Sequence, residues 1–161
     1  MKKILIPGRH LLLITIAILA VQCKTKPALP AQQPSFEQTL QVHLNAIQQA
    51  NLTALEPTVA DSVMVILPNG ARLDSKQVFM HFHEDWFKTK NWQWVPRILQ
   101  KETADSLGYA LVNYKYEEKD TTGAVQYRSN AYLVLIFKNS AKGWQLIHDQ
   151  NTKIPDSLAR P

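Results

Sequence analysis

The chain has 161 residues, and 18 Lys and Arg against 13 Asp and Glu give a formal charge of +5 with a pI near 9.4. That length fits one domain with appended segments, and 45% hydrophobic with 19% charged residues excludes a wholly disordered chain. Five Gly and a single Cys exclude collagen-like, disulfide-stapled and thiolate-zinc architectures.

The chain opens with Lys2, Lys3 and Arg9, followed by the apolar run Leu11 to Val21, broken only by Thr15, and then Cys23. A positive start and a short apolar stretch predict a signal peptide over residues 1–22, because the run is too short to span a bilayer of about 30 Å. Ala20-Val21-Gln22-Cys23 resembles a bacterial lipobox, which implies lipidation of Cys23, although Gln22 stands where a small residue is usual. Residues 24–34 (KTKPALPAQQP) hold three prolines and no aromatic or β-branched core former, so residues 23–34 read as a tether. In a polyproline II conformation it spans roughly 35 Å. The expected location is therefore outside the cytoplasm, lipid-anchored to a bacterial membrane facing the periplasm or in the outer membrane. Residues 153–161 read as a loose tail.

Apportioning the charge changes its meaning. Residues 35–152 carry 11 basic and 12 acidic side chains, so the excess sits in the signal peptide, tether and tail. A nucleic-acid partner needs a basic stripe on the folded domain, and this domain is nearly neutral.

Within that domain, Ser35 with Gln38 forms a capping box ahead of Phe36, Leu40, Leu44 and Ile47, which recur at helical spacing toward Asn51. Thr53 with Glu56 predicts the cap of a second, short helix, with Pro57 near its first turn. A strand over Val63 to Leu67 is followed by the turn Pro68-Asn69-Gly70. Asp74 with Gln77 predicts the cap of a third helix bearing Val78, Phe79, Phe82, Trp86 and Phe87. Four strands follow at about 92–103, 107–119, 124–138 and 143–152, separated by turn residues at Asp105-Ser106, Asp120 to Gly123 and Asn139 to Gly143. Short turns between successive strands predict an antiparallel meander, and the class is α+β.

This order of elements resembles the nuclear transport factor 2-like superfamily, the cone-shaped fold of SnoaL-like proteins and ketosteroid isomerases. The resemblance is carried by Ala50-Asn51-Leu52, by Ala60-Asp61-Ser62-Val63 leading to Leu67-Pro68-Asn69-Gly70, and by Gly143-Trp144-Gln145-Leu146-Ile147-His148-Asp149, across residues 36–152. It implies a curved antiparallel sheet wrapped around helices, an open-ended apolar pocket and a homodimer through the sheet. The isomerase branch places a carboxylate base immediately before the proline of the strand-turn stretch, where this chain has Leu67. Its proton-donating tyrosine falls at His43 and its second acid near Leu133. These departures argue against steroid-type isomerisation, and fold alone fixes no function.

His43, at the implied pocket opening, is a candidate hydrogen-bond donor or general base. His81-Phe82-His83 puts its histidines on different helix faces, so the expectation is a solvated face of His81, Gln77, Glu84, Asp85 and Lys88 with Phe82 and Trp86 inward, and no metal or other cofactor. In the last strand two opposite readings compete. Trp144 and Leu146 suggest that their face is buried, whereas the resemblance favours Ile147, Asp149 and Asn151 toward the pocket. Candidate ligand contacts are His43, Trp86, Asn113 (aimed inward), His148, Asp149 and Asn151. In the strand from 124 to 138, Tyr127, Ser129, Ala131, Leu133, Leu135 and Phe137 form the apolar face, leaving Arg128, Asn130 and Tyr132 as a dimer surface. Three functions remain open: binding of a small apolar ligand without catalysis, proton transfer by His43 with Asp149, or a homodimeric interaction module using the sheet face.

Overall fold

The computed structural model describes residues 33–155, so the signal peptide, Cys23, almost all of the tether and the end of the tail lie outside the described residues. Helix α1 (Phe36–Gln48) leads to a short α2 (Leu52–Leu55) and a 3-10 turn (Glu56–Thr58), then strands β1 (Val59–Ile66) and β2 (Arg72–Leu73). After α3 (Lys76–Lys88) come β3 (Trp92–Ala104), β4 (Leu107–Lys119), β5 (Val125–Ser140) and β6 (Gly143–Lys153). The six strands form one curved, unclosed sheet in the order β2-β1-β6-β5-β4-β3. The predicted meander is β3 to β6, and β1 closes onto β6 in parallel. No described helix is long and apolar enough to cross a membrane.

Local chemistry explains the helix ends. Ser35 Oγ accepts from the Gln38 amide while the Gln38 side chain accepts from the Ser35 amide, the predicted capping box. The other two caps shift. Asn51 rather than Thr53 caps α2, accepting from the Ala54 amide at 3.0 Å, and Ser75 rather than Asp74 caps α3. Helix α1 stops at Gln48 because Ala50 takes a left-handed φ of 52°. The Asn51 and Ala50 amides then donate back to Ala46 and Ile47 carbonyls at 2.8 and 3.0 Å, so Asn51 ends one helix and starts the next.

The helices fill the concave side of the sheet. Phe36, Leu40, Leu44 and Ile47 are buried against the inner faces of β4 (Ala110, Val112, Tyr114) and β5 (Ala131, Leu133, Leu135, Phe137). At the start of α1, the Phe36 ring lies where a side chain on Gly108 would stand, 2.8 Å from the position of a Cβ. Only glycine lets the helix come so close to β4.

Strand β6 resolves the two readings of its faces by satisfying both. Phe137 pairs with Leu146, but Ile136 pairs with His148, so Ile147 is an extra residue and the strand is bulged there. Before the bulge Leu146 faces the core; after it Asp149 and Asn151 face inward opposite Leu135 and Leu133. His148 consequently lies on the outer face with Ile136, which corrects its candidacy as a pocket residue. Asn113 is corrected in the same way. Val112 and Tyr114 take the inward positions of β4, so Asn113 points outward and donates to Asn130 Oδ1 at 2.7 Å.

Candidate functional site

A cavity of about 450 Å³ opens between α1, α3 and the concave sheet. Six rings line it: Phe82 and Trp86 from α3, Trp94 from β3, Tyr114 and Tyr116 from β4, and Tyr127 from β5. Ile47, Val65, Leu67, Leu73 and Leu133 supply the aliphatic part of the wall. The rings pack on one another, with centroids 5.9 Å apart for Trp86–Tyr116, 6.1 Å for Tyr116–Tyr127 and 5.6 Å for Trp94–Tyr114. Ring pairs at such separations contribute about 0.5–1.5 kcal/mol each beyond the area they bury, which fixes the wall's shape. Leu67 and Leu133, at or near the positions where the isomerase branch carries acids, both line this cavity with hydrocarbon.

Asp149 and Asn151 give the wall its polar element. Tyr114 Oη donates to Asn151 Oδ1 at 3.2 Å, and Asn151 Nδ2 donates to Asp149 Oδ1 at 2.9 Å and to the Ile66 carbonyl at 3.1 Å. Asp149 is 8% exposed and has no cationic partner among the described residues, so burial pushes its carboxyl well above the usual range. Burial thus works against the ionised form of this carboxyl. Burial also pushes the Tyr114 phenol up to about 12, with the nearby Asp149 adding to the shift.

Sequence reasoning singled out His43, and the structure reassigns it. It is fully buried in α1 and does not line the cavity. The Thr58 hydroxyl donates to the Leu55 carbonyl at 2.6 Å, so Thr58 Oγ1 must accept from His43 Nδ1–H at 2.8 Å. The tautomer is thereby fixed, and His43 Nε2 faces the core with no partner. Burial, with a smaller contribution from His83, lowers its pKa to about 3. His43 and Asp149 are thus not brought together. The reason lies in the helix period: His43 stands three residues after Leu40 and four before Ile47, inside the apolar stripe rather than on its border.

The residue that was missed is His83. It is 5% exposed, lines the cavity, and donates Nδ1–H to the Phe79 carbonyl at 2.9 Å, leaving Nε2 as a lone-pair acceptor. Burial lowers its pKa to about 4. Its position four residues from both Phe79 and Phe87 was the available signal. The expected solvated face does hold for His81, which lies 3.5 Å from Asp85 and 4.0 Å from Glu84. Trp86 lines the cavity as anticipated, and Phe82 does so while remaining 36% exposed. Among the described residues no three His, Cys, Asp or Glu side chains converge as metal ligands do.

On the outer face of the sheet, Arg128 Nε donates to Glu117 at 2.8 Å, Asn130 is bonded by Asn113, and Tyr132 is 42% exposed.

Solved structures share this architecture at low sequence identity. A ketosteroid isomerase-like protein from Erwinia carotovora atroseptica superposes with a TM-score of 0.62 at 18% identity, covering 74% of this chain and 93% of its own. An uncharacterised protein with a cystatin-like fold from Caulobacter vibrioides gives 0.65 at 15% identity, covering 75% and 88%. A calcium/calmodulin-dependent protein kinase type II association domain (putative in its description) from Thiobacillus denitrificans gives 0.62 at 14%, covering 76% and 98%. Among curated proteins none matches this sequence. The sequence pattern of the SnoaL-like domain, by contrast, matches residues 37–155, and the chain belongs to that family.

Proposed function

We propose that residues 35–152 bind a small, largely apolar ligand in the concave cavity. One observation carries this reading: about 450 Å³ stays open among aromatic and aliphatic side chains, with Asp149 and Asn151 set into one wall. A mostly apolar cavity of that size with few polar groups is the usual form of a small-molecule site. Hydrocarbon at Leu67 and Leu133 supports binding over steroid-type isomerisation, because neither side chain exchanges a proton. Titration with 1-naphthol, followed by quenching of Trp86 and Trp94 fluorescence, tests it. Leu67→Trp, which fills the space from the wall, is expected to weaken binding at least tenfold; equal binding by both proteins would put the ligand elsewhere.

We also propose that the outer sheet face joins two copies of the domain. Tyr132 is exposed there beside Asn130 and the Arg128–Glu117 pair. The fold shared with kinase association domains, named for assembly, supports this. Light scattering should return about twice the mass of the chain, and Tyr132→Glu should halve it. A monomer before substitution would overturn the proposal.

Cys23 remains the proposed lipid attachment point, on the strength of Ala20-Val21-Gln22-Cys23 behind an apolar run, with the membrane as the second partner. Cells fed a fatty-acid analogue should label the protein. A Cys23→Ser variant that still takes up label would remove the assignment.

A further inference from the structure

The charges around the cavity are one-sided. The ionisable side chains on its wall are His83 and Asp85 from α3, Tyr114 and Tyr116 from β4, Tyr127 from β5 and Asp149 from β6, and no Lys or Arg is among them. Asp85 is already paired with Lys88 at 2.8 Å. Asp149 is not paired with any cation, and its Asn151 partner is itself satisfied by Tyr114. His83 has given its only N–H to the Phe79 carbonyl, so as a neutral ring it offers the cavity no proton.

From this distribution we infer that the ligand of the cavity is an organic cation, an ammonium group bearing apolar substituents, held by Asp149 and by the faces of the surrounding rings. The inference rests on the reading of the cavity as a ligand site.

Two physical arguments carry it. The first concerns why the polar group is a carboxyl. To offer a hydrogen bond to a neutral ligand, an amide or a hydroxyl suffices and does not titrate. What the carboxyl adds is the capacity to become an anion when a cation arrives beside it. The second concerns the rings. Aromatic faces are the negative side of the quadrupole and attract cations within about 6 Å of the centroid, more strongly where water is excluded. An anionic ligand would meet no Lys or Arg on the wall and would oppose ionisation of Asp149 beside it. A neutral one would leave the charge asymmetry of the wall without use.

Binding then expels a proton. Burial raises the Asp149 carboxyl well above its usual range, and the incoming cation stabilises the ionised form. Four other groups facing the cavity are shifted away from the range between pH 5 and 8. His83 is held down to about 4, Asp85 is lowered by Lys88, and the Tyr114 and Tyr116 phenols are raised by burial.

The test uses the purified full-length protein and two probes of the same shape, benzyltrimethylammonium and its neutral carbon isostere neopentylbenzene, titrated calorimetrically from pH 5 to 8. The expected result is that the cation binds more tightly than the isostere. Its affinity should rise with pH by up to about tenfold per unit until Asp149 ionises, with proton release that follows buffer ionisation enthalpy. Asp149→Asn should weaken the cation at least tenfold and leave the isostere unchanged. Tighter binding of the isostere, a pH-independent cation, or no proton release would overturn the inference and leave the apolar cavity standing. If neither probe binds to a folded protein, the cavity reading falls with it.

Discussion

Lowering the pH from 7 to 4 is expected to destabilise the domain by on the order of 3 kcal/mol, read as a falling urea midpoint. His43 and His83 are neutral in the fold, with values lowered by burial to about 3 and about 4 from 6.5. Between those limits the unfolded chain binds two more protons than the folded one. The stability they contribute is complete above about pH 6.5 and is lost as the pH falls toward their folded values. Asp149 acts in the opposite sense, because its folded value is raised: its contribution is complete below 3.8 and is lost as the pH rises. Even if Asp149 opposes across the whole window, a net difference of one proton remains. Over roughly 2.5 units at about 1.4 kcal/mol each, that yields the stated loss. Against a typical stability of about 5–15 kcal/mol that is a substantial fraction of the total. His43→Leu should flatten the acid limb and Asp149→Asn should steepen it; an acid limb unchanged by His43→Leu would show that its neutral state is not what the fold depends on.

Phe137→Ala is expected to cost about 3–5 kcal/mol in the same measurement, the range for deleting a fully buried phenylalanine. Phe137 is completely inaccessible, and its ring meets Phe36 at 5.7 Å and His43 at 5.6 Å, edge-on to both. It also pairs across the sheet with Gly108, the residue whose missing side chain admits Phe36. Removing the ring therefore loosens the helix–sheet contact at its tightest point. The cavity farther along the sheet does not include Phe137. A loss below about 0.5 kcal/mol, no more than a surface change produces, would mean that α1 is held by other contacts.

Which parts of this fold were legible follows from how local their causes are. The C-terminal end of β4 and the turn after it are set by Asp120 and Gly123, whose side-chain and backbone bonds close within four residues. The inner face of β5 was legible because Ala131, Leu133, Leu135 and Phe137 alternate without interruption. The caps of α2 and α3 were misplaced by one or two residues, since neighbouring Asn, Asp, Ser and Thr compete for the same amides and tertiary packing decides among them. Asn113 needed only strand parity with Val112 and Tyr114. His43 and His83 were harder. Both sit at apolar positions of the helix period, and what makes a histidine tolerable there is a carbonyl or hydroxyl whose location belongs to the fold: Thr58 for one, Phe79 for the other. The bulge at Ile147 has no residue-level signature in β6, so a strand that changes faces midway looked like a choice between two regular ones.

That bulge makes the sign of the cavity a matter of register. With a regular strand after Leu146, His148 would enter the wall and Asp149 would turn to the outer face; with the extra residue at Ile147 the order is reversed. Sliding the bulge a few residues toward the C-terminus would replace an acid by an imidazole without altering a single amino acid. Two chains of identical composition in this strand can thus present opposite electrostatic preferences, so ligand preference in such folds can diverge through a shift of register as readily as through substitution.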